Sequence, residues 1–164
     1  MIKKILLLSA LFLTGCGFHL RGDMPIPPEL ATLYLKTDKP YDPLSKTLHE
    51  VFETAGVHFV DSANESPTTL DIVKEQQGAN VTNVGTNTTT LQYNLTYSVT
   101  YRLLDRNGKL LAGPFTASEN STLMMTSNSM LSGNQTQAQM QAQMQHDAAE
   151  QILNILTAPD TIKR

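Results

Sequence analysis

The chain has 164 residues, 12 basic against 15 acidic side chains, a net charge of −3, one cysteine and no tryptophan. This length suits a single domain held together by burial, and a single cysteine excludes a disulfide within the chain. The acidic balance, with no basic patch, argues against a general nucleic-acid binder.

Residues 1–4 read Met-Ile-Lys-Lys, and residues 5–13 are apolar except for Ser9. Nine residues are too few to span a bilayer, which takes about twenty. A basic start, a short apolar core and small residues before a break predict a secretory signal peptide over residues 1–15. It ends in Leu13-Thr14-Gly15-Cys16, which resembles the bacterial lipobox. The resemblance implies that the Cys16 thiol carries a diacylglycerol in thioether linkage, that the chain is cut before it, and that the new α-amine is acylated. No other cofactor is expected. The plainer alternative is a free cysteine following a signal peptide, although an unpaired cysteine is unusual in a secreted chain. Two lipid signals already give stable anchoring, so a three-chain anchor would tether the protein almost permanently. Gly17, where inner-membrane retention would call for Asp, resembles an outer-membrane sorting signal. From Cys16 onward there are 149 residues, and the loss of Lys3 and Lys4 leaves 10 basic against 15 acidic side chains, or −5.

Residues 16–29 hold Pro25, Pro27 and Pro28, and prolines disfavour helix, so an extended spacer is expected. A single α+β domain over 30–158 follows, with 159–164 as a tail. Residues 30–36 predict a short strand. Asp42 as N-cap and Pro43 at the first helical position start a helix. Its apolar face is Leu44, Leu48, Val51, Phe52 and Ala55, and Gly56 stops it. Residues 57–60 are a brief extension. Residues 68–77 predict a second strand and 78–90 a polar loop. From Leu91 to Leu103 every odd residue is apolar or Tyr and every even one polar, which predicts a long strand with one buried face. The Tyr93, Tyr97 and Tyr101 stripe is read as core. Asp105-Arg106-Asn107-Gly108 is a hairpin turn. Residues 109–123 predict a fourth strand, broken near Gly113-Pro114, where proline calls for an edge position or an irregular start. Residues 124–135 are a loop, and a helix runs from about 134 to 157 until Pro159. The order β-α-β-β-β-α predicts a four-stranded mixed sheet with two helices packed on one face.

Residues 76–101 and 120–145 contain no charged side chain. Soluble surfaces ordinarily intersperse charge, so these segments suit either a compositional quirk or a face held against another protein. The strand directions bring loops 78–90 and 124–135 to one end of the sheet. Asn80, Asn83, Asn87, Met124, Met125, Ser127, Asn128 and Ser129 are accordingly the candidate partner-binding residues.

Catalytic chemistry finds no foothold. His19, His49, His58 and His146 lack metal-site spacing, and no second cysteine assists them. There is no nucleophile elbow and no phosphate-binding glycine loop. An enzyme is not expected.

Gly15 to Gly22, "GCGFHLRG", resembles the mature start of the lipopolysaccharide-assembly lipoprotein family, LptE. The similarity extends through "PLSKTLHEVFETAGV", "TTTLQYNLTYSVTYRLLDRNG" and "DAAEQILNIL". It implies an outer-membrane lipoprotein that plugs and helps assemble a β-barrel of the LptD type, with a 1:1 partnership, and that contacts lipopolysaccharide on its way to the outer leaflet. A polar barrel lumen suits an uncharged polar surface. A charge placed at Asn83, Asn87 or Ser129 should then impair barrel assembly. One departure bears on the lipid: family members that carry basic tip residues could meet phosphates with charge-assisted contacts, whereas 76–101 and 120–145 here have no Lys or Arg. The alternative reading is a stand-alone lipoprotein that binds lipopolysaccharide or another amphiphile in an apolar cavity under the tyrosine stripe.

Overall fold

The computed structural model describes residues 26–84, 90–126 and 130–162. A 3-10 turn, Pro28–Leu30, leads into β1, Thr32–Lys36; α1, Pro43–Thr54; β2, His58–Val60; and a second 3-10 turn, Ala63–Glu65. Then come β3, Thr68–Val84; β4, Thr90–Asp105; β5, Leu110–Thr126; and α2, Met130–Thr157.

Helix α1 starts with Pro43 after Asp42, as its sequence signals require, but the Asp42 side chain makes no capping hydrogen bond. Its carboxylate lies 3.5 Å from the Lys39 ammonium instead. The helix ends in a Schellman arrangement: Gly56 has φ +92°, its N–H donates to the Glu53 carbonyl, and the Val57 N–H donates to Phe52. Only glycine takes that left-handed conformation at no steric cost.

The sheet has five strands in the order β2-β1-β3-β4-β5, one more than expected. The extension after α1 is itself a strand, parallel to β1 with Thr32 opposite His58. Three residues are too few for a periodic signal, so only the adjacent β1 edge reveals it. β1 also pairs in parallel with β3, and β3-β4-β5 form an antiparallel meander. Hence the sheet is mixed, and β5 is an edge strand.

The meander is longer than the sequence predicts. β3 runs to Val84 and β5 to Thr126, and α2 begins at Met130. Asn80, Asn83, Met124 and Met125 are therefore strand residues, not loop residues. Low β-propensity in this Asn- and Gln-rich stretch is overridden because β4 offers unpaired N–H and C=O groups on both sides along its length. Bulges between Ile72 and Lys74 and between Val81 and Asn83 absorb the mismatch.

Both helices cover one face. Leu44, Leu48 and Phe52 of α1 and Ala148, Ile152 and Leu156 of α2 are buried with Leu95, Tyr97, Val99, Tyr101 and Leu103 of β4. The tyrosine stripe is core, and helices fill the space above it. At the other end of β4, the Asp105 carboxylate accepts from the Asn107 and Lys109 N–H groups at 2.8 Å each, and Gly108 adopts φ +77°. This turn, the end of α2 and the start of β1 form the base of the molecule. The end where Val84 pairs with Leu91 and Leu91 with Met125 is the tip.

Candidate functional site: the uncharged end of the sheet

The even residues of β4 point away from the helices. In register they form rows across three strands: Gln76, Ser98 and Ser118; Gly78, Thr96 and Asn120; Asn80, Asn94 and Thr122. Gln92 and Met124 continue the pattern, and Met124 is 70% exposed. Alternate residues along a strand are ~6.8 Å apart, so this uncharged outer face extends roughly 20 Å toward the tip. It is closely built. A Cβ on Gly78 would lie 2.8 Å from the Thr96 hydroxyl, so glycine there leaves room for the Thr96 side chain.

Charge returns abruptly toward the base. Asp71, with its side chain 7% exposed, meets Arg102 Nε at 2.7 Å and Lys36 Nζ at 3.6 Å. Two cations against a nearly buried carboxylate satisfy it and pin β1, β3 and β4 together at the margin of the uncharged face.

On the helix side, α2 stands off β3 and leaves a polar cleft of about 480 Å³ lined by Lys39, Asp42, Glu75, Gln77, Gln141 and Gln145, among others. The Tyr97 hydroxyl donates to Glu75 Oε1 at 2.8 Å, and Lys39 Nζ lies 3.5 Å from Glu75 Oε2. Lys39 is held above its ordinary pKa by Glu75 and then Asp42. Burial, followed by the hydrogen bond and charge of Glu75, pushes the Tyr97 phenol well above 10. Burial alone raises Tyr101, whose hydroxyl has no hydrogen-bond partner among the described residues. No sequence signal links Lys39, Glu75 and Tyr97, which come from three separate segments.

The candidate residues divide. Asn80 and Met124 lie on the outer face near the tip, whereas Met125 pairs with Leu91 on the helix face. The Asn83 backbone pairs with Gln92. Asn87, Ser127, Asn128, Ser129 and the lipidation candidate Cys16 lie outside the described residues. Sequence reasoning missed Asn94, Thr96, Asn120 and Thr122 as face residues; the polar half of the β4 alternation was the signal available for the first two. Among the described residues, no three His, Cys, Asp or Glu side chains cluster to hold a metal, and no helix is long and apolar enough to cross a membrane.

The family model described as "LptE: Lipopolysaccharide-assembly" matches residues 30–156. The chain is 30% identical over 104 residues to the LPS-assembly lipoprotein LptE of Yersinia enterocolitica, covering 63% of this chain and 50% of that protein. It is 42% identical over 59 residues to the protein of that name from Pectobacterium atrosepticum, covering 36% and 32%. The matched segments thus span about a third to a half of these relatives' own length. Among solved structures, a minor lipoprotein of Acinetobacter baumannii has a TM-score of 0.70 at 20% identity, covering 85% of this chain and 98% of that one. An uncharacterized lipoprotein B of Nitrosomonas europaea has a TM-score of 0.66 at 22% identity, covering 87% and 91%. These two likenesses establish a shared fold.

Proposed function

The chain belongs to the LptE lipopolysaccharide-assembly family, and from that premise we propose that it is a lipid-anchored outer-membrane protein that plugs and helps assemble an LptD-type β-barrel. In this reading Cys16 carries the S-diacylglycerol and N-acyl groups, Gly17 directs the protein to the outer membrane, and the partnership is one to one. The chain acts by binding and not by catalysis, and it contributes to delivery of lipopolysaccharide to the outer leaflet.

The observation that carries the proposal is the uncharged outer face of β3, β4 and β5. A barrel interior is polar, and a plug seated in it must bury its surface without stranding charge, because an unpaired buried charge costs several kcal/mol. Asn, Thr, Ser and Gln can exchange water for polar partners at far lower cost. The stand-alone amphiphile carrier would need an apolar cavity under the tyrosine stripe, and that space is filled by α1 and α2.

The test is to tag the C-terminus, extract outer membranes in mild detergent and identify what co-purifies. One large barrel protein at equal stoichiometry is expected. Recovery of the lipoprotein alone, even after crosslinking, refutes the plug. The mature N-terminal peptide should carry the mass of the lipid on Cys16, and an unmodified Cys16 in the purified protein refutes the lipid tether.

A further inference from the structure

Among the described residues, nothing hydrogen-bonds the outward backbone groups of β5 beyond Ser118. The Ser118 N–H donates to Gln151 Oε1 of α2 at 3.1 Å, so it points away from β4. β5 runs without a register shift from Phe115 to Thr126, and successive residues of a strand alternate their N–H and C=O direction. The backbone groups of Asn120, Thr122 and Met124 therefore also point outward. Their side chains belong to the uncharged outer face. Natural edges are ordinarily protected by Lys, Pro, bulges or brevity. Between Ser118 and Thr126 this edge has no Lys, Pro or bulge and one inward-pointing charge, Glu119, and among the described residues the hydrogen bond found to its outward backbone is that of Gln151 at the base end. The opposite edge of the sheet, β2, is three residues long.

We propose that the β5 edge from Asn120 to Met124 is a strand-addition site that takes an extended segment of the partner polypeptide. Main-chain hydrogen bonds supply affinity in this mode, and alternate side chains supply specificity. The added strand would extend the outer face, so its residues on that side are uncharged. On the helix side the edge presents Glu119, in register with Tyr97, and α2 carries Asp147, bonded to Gln143 at 2.7 Å. A Lys, Arg or amide side chain of the incoming segment is complementary there.

The occupant rests on the barrel reading above. Barrel strands are paired on both sides and have no free edge, so the segment comes from a loop or terminal stretch of the barrel protein and not from its wall. A second copy fits poorly. Antiparallel pairing through this stretch points the two tips in opposite directions, whereas residues 16–26 reach at most ~36 Å from a lipid at Cys16, so the two tips could not both project from one membrane.

Thr122→Pro separates strand addition from folding, because the N–H it removes is not used by β4. The full-length lipidated chain is isolated from outer membranes, with a photo-crosslinker placed at Asn120 in a second preparation. Thr122→Pro should lower barrel recovery at least tenfold while the circular dichroism of the lipid-free domain is retained. Thr122→Val, which keeps the N–H, should lose no more than threefold. The Asn120 probe should attach to one contiguous extended segment of the barrel protein. Barrel recovery unchanged in Thr122→Pro overturns the inference. If that variant fails to fold, the crosslink decides: an adduct confined to the barrel wall, to a second copy, or absent where a probe at Asn94 does crosslink, overturns it. If the wild-type chain brings down no barrel at all, the plug reading itself falls and takes this occupant with it.

Discussion

Deleting one oxygen from each of two buried tyrosines should shift stability in opposite directions. Tyr101 is 0% exposed, and its hydroxyl has no partner among the described residues; its ring packs against Phe115 with centroids 5.8 Å apart. An unsatisfied buried polar group costs about 1–3 kcal/mol. Tyr101→Phe removes that cost and leaves a void on the order of 10 Å³, worth roughly 0.2 kcal/mol at ~24 cal/mol per Å³. The net expectation is a gain of about 1–3 kcal/mol, or ~2–12 °C in Tm for a domain of this size. Tyr97→Phe removes a 2.8 Å bond to the Glu75 carboxylate, and hydrogen bonds to charged groups are worth about 1.5–3 kcal/mol. It should lower stability by that amount. Urea unfolding of the lipid-free protein, with residues 1–16 removed, measures both. If Tyr101→Phe loses more than about 0.5 kcal/mol, the hydroxyl has a partner such as a bound water, and the reasoning from an orphaned oxygen is wrong.

The same phenols set an alkaline limit. Their folded pKa values lie above the ordinary 10, so their contribution is complete below pH 10 and is lost as pH rises through the folded values, because the unfolded chain ionises first. Each should cost roughly 1 kcal/mol per pH unit above 10, and unfolding curves of Tyr101→Phe from pH 9.5 to 11.5 should show a shallower decline than wild type. Gly113→Ala should destabilise by about 1–3 kcal/mol, since Gly113 has φ +93° and a Cβ would meet the Phe115 nitrogen at 3.1 Å and the Tyr101 carbonyl at 3.2 Å; a change under 0.5 kcal/mol in urea melts would contradict the strain. Asn94→Lys, at the centre of the outer face, should leave the lipid-free domain within about 0.5 kcal/mol of wild type yet reduce co-purified barrel at least fivefold. Undiminished recovery would mean that this face is not buried against the partner. Asp71→Asn should lower stability by about 1–3 kcal/mol, measured by the same urea melts, because Arg102 and Lys36 then crowd together without their carboxylate.

Much of the fold was legible because its signals are local. The β4 alternation, the Asp42-Pro43 start and Gly56 stop of α1, and the Asn107-Gly108 turn each depend on a few adjacent residues, and each appears where expected. The tip was less legible. Asn80, Asn83, Met124 and Met125 read as loop residues because Asn, Gly and Ser-rich segments have little intrinsic preference for strand, and only pairing with β4 makes them one. β2 escaped because its pattern is three residues long. The Lys39, Glu75 and Tyr97 cluster escaped because it joins residues far apart in the chain.

By itself the sequence determined the class of fold, the burial of the tyrosine stripe, and the absence of charge from residues 76–101 and 120–145. Side-chain periodicity and charge are properties of neighbouring residues, so they survive without a structure. The tertiary structure decided the strand order, and with it which uncharged residues share a face and which backbone groups remain unpaired at the β5 edge. Those depend on hydrogen bonds between strands whose partners lie tens of residues away, and no local pattern specifies which side of a strand will be left open.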